Sequence, residues 1–179
     1  FPVAATALSK NSIHILGGNG STGSVIVTLP AIAEISTLGI SVGDFFTFLV
    51  GAECTAAAGH AITCPADNEV GGVFVGCLKM IRFIAGTGVA LADYGTSNSA
   101  NTVTTPVYIR PFTDKTQQVV RLDSNLATGA GLSGSFVTFT YIGTPLTDDG
   151  TKPTWYLNGE LHSFDIDSTG AKVFAVHGA

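Results

Sequence analysis

Apolar and polar residues alternate along this chain with a period of two rather than 3.6, the signature of half-buried strands. The clearest case is Ser135 to Ile142, where Phe136, Thr138 and Thr140 fall on one side and Val137, Phe139 and Tyr141 on the other. Ser12-Ile13-His14-Ile15-Leu16 is a strand stopped by Gly17-Gly18-Asn19-Gly20, and Val25 to Leu29 is the next. Phe45 to Val50 is nearly continuous apolar, as expected for a strand covered on both faces. A turn at Ala58-Gly59 leads into Ala61 to Cys64; Val73 to Gly76 and Lys79 to Ile84 extend the pattern, with Arg82 alternating outward. Val107 to Arg110 and Gln117 to Leu122 read as strands, with Pro106 and Pro111 marking edges. Ser163 to Val176 reads as a hairpin about Asp167-Ser168-Thr169-Gly170. Helical spacing is confined to Ala31 to Ile40, with Pro30 at its start and Gly39 at its end. Gly86 to Thr105, rich in Gly, Ser, Asn and Thr, reads as a long excursion.

Short strands separated by Gly and Pro turns predict an all-β fold: an antiparallel β-sandwich or jelly-roll-like barrel with at most one short helix. The expected organisation is one domain over residues 11–179, preceded by an extended arm over residues 1–10. The first residues, Phe1-Pro2-Val3-Ala4-Ala5, show neither an initiator Met nor a charged stretch leading into an apolar core.

Composition sharpens this picture. Charged residues are 12% of the 179, hydrophobic residues 45%, and Gly numbers 22. The longest stretches without Asp, Glu, Lys or Arg, Asn11 to Ala33 and Ser124 to Thr147, are full of Gly, Ser and Thr and each contains a proline. Neither fits a spanning helix, which needs about 20 mainly apolar residues, so no membrane partner is expected. So little charge points instead to surface buried against other copies or a larger assembly. The net charge is −5 and the eight basic residues are scattered, which argues against a nucleic-acid partner.

Each motif that could carry chemistry has a plainer reading. Gly18-Asn19-Gly20-Ser21-Thr22-Gly23 matches G-x-G-x-x-G, but a strand pattern follows where a dinucleotide site needs a helix, so it reads as a glycine-rich loop. Asn19-Gly20-Ser21 is also a glycosylation triplet by pattern. Cys54, His60, Cys64 and Cys77 are zinc-type donors without the short Cys pair of a zinc knuckle. Buried thiols come first, a Cys54–Cys64 disulfide second and zinc third. Asp165-Ile166-Asp167-Ser168-Thr169-Gly170 opens like a calcium loop, but Val176 stands where a bidentate Glu belongs; Asp148-Asp149-Gly150 reads as a turn. Ser133, in Gly131-Leu132-Ser133-Gly134-Ser135, narrowly misses a hydrolase elbow, with no helix after it. His14, His60, His162 and His177 are dispersed, and nothing pairs two of Glu34, Glu53, Glu69 and Glu160 for glycoside chemistry. No catalytic, cofactor-binding or metal residue is assigned, and a non-enzymatic role is expected.

Two pairs of segments carry a resemblance. Val27-Thr28-Leu29-Pro30 precedes Gly43-Asp44-Phe45-Phe46-Thr47-Phe48 near the front; Gly134-Ser135-Phe136-Val137-Thr138-Phe139 precedes Trp155-Tyr156-Leu157-Asn158-Gly159 near the back. This order resembles the β-domains of bacteriophage fibres and capsid-decoration proteins over residues 11 to 51 and 134 to 161, with no counterpart for Gly86 to Ala130. The resemblance implies a virion structural protein at the capsid surface, assembled in the host cytoplasm. Its implied partners are its own copies, as a homotrimer, and the major capsid protein or other virion proteins, with residues Phe1 to Leu8 reaching onto a neighbouring subunit. The alternative is a carbohydrate- or receptor-binding domain of a fibre or adhesin, for which Trp155, Tyr156 and Asn158 could form a platform; the plainer reading there is a core tryptophan and a turn asparagine.

Overall fold

The computed structural model describes residues 2–3, 7–17, 23–52, 59–65, 73–82, 107–112, 119–122, 133–144, 152–163 and 174–175. Along the chain these form β1 (Pro2–Val3), β2 (Ser12–Leu16), β3 (Ile26–Thr28), α1 (Ile32–Thr37), β4 (Phe45–Val50), β5 (His60–Thr63), β6 (Val73–Arg82), β7 (Val107–Phe112), β8 (Val119–Leu122), β9 (Phe136–Tyr141), β10 (Thr154–Ser163) and β11 (Phe174–Ala175). The fold is mostly β with one short helix. The strands build a five-stranded sheet in the order β1-β3-β5-β8-β11 and a six-stranded sheet in the order β2-β4-β9-β10-β6-β7.

The sheets are mixed, which corrects the antiparallel expectation. β1 with β3, β3 with β5, β2 with β4 and β6 with β10 run parallel. Alternation along a strand fixes which side chains face the core, but it says nothing about the direction of the neighbouring strand. Parallel neighbours need a crossover, and between β2 and β4 the chain supplies it through β3, in the other sheet, and α1.

Two further expectations change. Phe174 and Ala175 pair with Val120 and Val119 of β8, while β10 pairs with β9 and β6. The described ends of the expected C-terminal hairpin therefore lie in different sheets, and residues 164–173 lie outside the described residues. Asn158-Gly159 is not a turn but the middle of β10, where Gly159 stands opposite Val137. A Cβ on Gly159 would overlap the Phe136 carbonyl oxygen and stand 2.9 Å from Val137 Cα, so glycine here permits close strand approach. Pro111 does fall on an edge strand, β7, opposite Cys77 of β6. The side chain of Arg82 and the excursion over 86–105 lie outside what is described.

α1 is shorter than its expected span. Ala31 donates its N–H to the Glu34 carboxylate at 2.9 Å, tying down the first turn. Gly39, at φ 64°, ends the helix in the left-handed region, and the Ile40 N–H returns to the Ile35 carbonyl at 2.9 Å. Ile35 and Ile40 are thereby turned into the core.

One hydrophobic cluster draws on both sheets and the helix. Val27, Ile62, Val120 and Leu122 come from the five-stranded sheet; Phe46, Phe48, Phe74, Val137, Phe139, Trp155, Leu157 and Leu161 come from the six-stranded one. Its aromatic rings meet at tilted angles, Phe74 with Phe139 at 5.1 Å and Tyr141 with Trp155 at 5.4 Å.

Candidate functional site

The described chemistry gathers on the outer face and free edge of the six-stranded sheet. β4 buries Phe46, Phe48 and Val50 and turns Phe45, Thr47 and Leu49 outward; β9 buries Val137, Phe139 and Tyr141 and turns Phe136, Thr138 and Thr140 outward. Thr47 and Thr138, opposite each other, join their hydroxyls at 2.8 Å. On β10, Trp155, Leu157 and Leu161 are buried, whereas Tyr156 and Asn158 are exposed and Glu160 and His162 half-buried on the outer side. The expected Trp155–Tyr156–Asn158 platform is therefore divided: Trp155 belongs to the core and the other two to the surface.

Beside them stands a row of ionisable side chains. The Lys79 ammonium lies 2.9 Å from one oxygen of Glu160 and the His162 imidazole 2.9 Å from the other. These two bonds, His162 first and Lys79 second, hold the Glu160 carboxyl below its ordinary range. The buried Ser135 hydroxyl accepts the His162 backbone N–H at 2.8 Å, and Ser133 donates to the Gly51 carbonyl at 3.1 Å. The serine turn and His162 thus share one corner, which the sequence left unconnected. The i, i+2 spacing of Glu160 and His162 on one strand face is the signal that could have found their pairing.

β2 lies at the edge. Its N-terminal end is fixed by a clamp: Lys10 pairs with Asp44 at 2.9 Å, and the Asn11 side chain donates to Asp44 at 2.7 Å while accepting the Phe45 N–H at 3.1 Å. Asn11 takes a positive φ of 56°, which asparagine tolerates better than most residues. The Ser41 N–H, then Lys10 and Asn11, lower the Asp44 pKa to about 2. Inside β2, His14 stacks on Phe48 at 5.5 Å and its Nε2 meets the Ser9 carbonyl at 3.0 Å. Ile13 and Ile15 point away from the core, 65% and 64% exposed.

The proposed zinc donors are dispersed in role. Cys64 is completely buried and Cys77 half-buried on β6; Cys54 lies outside the described residues, and with it the Cys54–Cys64 pairing. His60 is fully enclosed. Its Nδ1 accepts the Val25 N–H at 3.1 Å and its Nε2 donates to the Ala52 carbonyl at 3.2 Å, which fixes one neutral tautomer. Burial is the main cause that lowers its pKa. Among the described residues, no group of three His, Cys, Asp or Glu side chains comes together. After the glycine-rich loop, residues 18–22 of which are outside the description, the chain forms β3, not a helix. Asp148 to Gly150, Asp165 to Gly170, Glu53, Glu69 and His177 are also outside it. No helix among the described residues is long and apolar enough to cross a membrane. Comparison with models of protein families, with curated proteins and with solved structures finds no match to this chain.

Proposed function

We propose that this chain is a non-enzymatic structural protein of a bacteriophage virion: a β-sandwich whose two sheets enclose the shared core, decorating the capsid as an assembly of its own copies. One observation carries the reading. The segment in β4 lies far in sequence from the two in β9 and β10, yet the three are consecutive neighbours of one sheet. The fourth, Val27 to Pro30, is also built into the core through Val27 and Leu29. The resemblance therefore follows a contiguous structural unit rather than scattered likenesses. Low charge and exposed Ile13, Ile15, Val42 and Phe136 favour burial against further copies or the capsid. The resemblance implies three copies and the major capsid protein as partner. Virions purified from the producing host should carry the chain in many copies, with antibody label over the head. Finding it only in a soluble host fraction would sink the reading.

A second reading is favoured by the shared outer face of Tyr156, Asn158 and Glu160, an aromatic ring beside an amide and a carboxylate. Such a face suits a glycan. A Tyr156→Ala protein that folds normally but loses glycan binding shown by the parent would establish it; Trp155→Ala is uninformative, because that ring is core.

A further inference from the structure

Among the described residues four strand edges bound the two sheets, and three of them carry features that discourage pairing. β1 has two described residues, one of them Pro2, and β11 also has two. β7 contains Arg110 and Pro111, and proline offers no N–H to a neighbour. β2 differs: five residues, with no Pro, Gly, Asp, Glu, Lys or Arg. Among the described residues its sole strand partner is β4.

We infer that the free edge of β2 is the docking edge for β2 of a second copy of this chain, paired antiparallel about a two-fold axis so that the six-stranded sheet continues from one copy into the other. Charge permits this partner. The strand holds no Asp, Glu, Lys or Arg, and at its N-terminal end Lys10 and Asp44 already pair with each other at 2.9 Å. The pattern is self-complementary as well. Pairing centred on His14 matches all five residues and sets Ile13 opposite Ile15 of the partner subunit, so the outward isoleucines of both copies merge into one apolar strip. The remaining edges of another copy are the three that discourage pairing.

This contact deepens the self-assembly in the proposed function and makes it two-fold, in place of the three copies that the resemblance implies. Light scattering on the purified chain at micromolar concentration should give the mass of two chains. Ile13→Lys/Ile15→Lys, placed where both side chains are already exposed, should give one folded chain whose melting temperature does not depend on concentration, whereas that of the parent rises with concentration. If the double variant folds poorly, hydrogen exchange on the parent decides: the β2 amides not bonded to β4 should be protected at high concentration and exchange rapidly on dilution. A parent that is monomeric, or an oligomer of any size that keeps its mass in the folded variant, overturns the inference, as does exchange of those amides independent of concentration. Antibody label on virion heads with a monomeric chain would remove the edge contact and keep the virion reading. A two-chain species that depends on Ile13 and Ile15, with no chain on virions, would do the reverse.

Discussion

Gly76 and Gly159 are the residues on which the centre of the large sheet depends. Gly159 faces β9, and Gly76, at φ 119°, faces β10, where a Cβ would overlap the Leu157 carbonyl oxygen and stand 2.9 Å from its nitrogen. Gly159→Ala should lower stability by about 1–3 kcal/mol, because backbone and not a side-chain tip must give way; a urea titration would read this as a lower midpoint. His60 makes a different kind of demand. Its folded pKa lies below the ordinary 6.5, so the unfolded chain takes up a proton there first. The stability it contributes is complete above pH 6.5 and is lost as pH falls from that value toward the folded one. Unfolding free energy plotted against pH should show this decline in the parent and lose it in His60→Gln. A decline of the same size in both would exclude His60 as its source.

Elements were legible in proportion to how much of their pattern is local. β9 follows the expected alternation, Phe136 to Tyr141 dividing between faces as its spacing requires, whereas β4, expected to be covered on both faces, buries only Phe46, Phe48 and Val50, and β2 turns its apolar Ile13 and Ile15 outward. β10 was read short because Asn-Gly is a turn pair by chemistry, whereas here the glycine answers to the strand beside it. Parallel pairing was invisible for the same reason: it depends on which distant strand arrives, as when Thr154 meets Val73. The site was less legible than the fold. Tyr156 and Asn158 were singled out, but Glu160, His162 and Lys79 meet through β-sheet register that only the folded chain supplies. At this scale the Asp44 clamp makes a specific demand on acid. With its pKa lowered from 3.8 to about 2, its contribution is whole above pH 3.8 and is lost as pH falls toward 2. β2 amides should therefore gain exchange rate in that window, measured relative to β9, and Asp44→Asn should show the faster rate already at neutral pH.

The molecule as a whole has one core and two sheets, and His60 adds a polar tie between them. It stands on β5 and reaches Ala52, just after β4, so each sheet is held by the other. Truncation on either side should therefore weaken the same event. Ile62→Ala in one sheet should cost about 2–5 kcal/mol and Phe139→Ala in the other about 3–5 kcal/mol, both seen as an earlier single transition in calorimetry and circular dichroism. Two separable transitions would show that the sheets unfold independently.

The position of β10 also governs the order in which this protein can come into being. β10 lies between β9 and β6, but it is translated about eighty residues after β6, its parallel partner. Until it leaves the ribosome, the growing chain holds two incomplete pieces, β2-β4-β9 and β6-β7, each with an apolar edge waiting for the same strand. Contacts so distant along the chain make folding slow, and partial products of this kind are exposed to chaperones and to misassembly with one another. The strand that completes the sheet is thus the step that separates a nascent chain at risk of aggregation from one able to assemble.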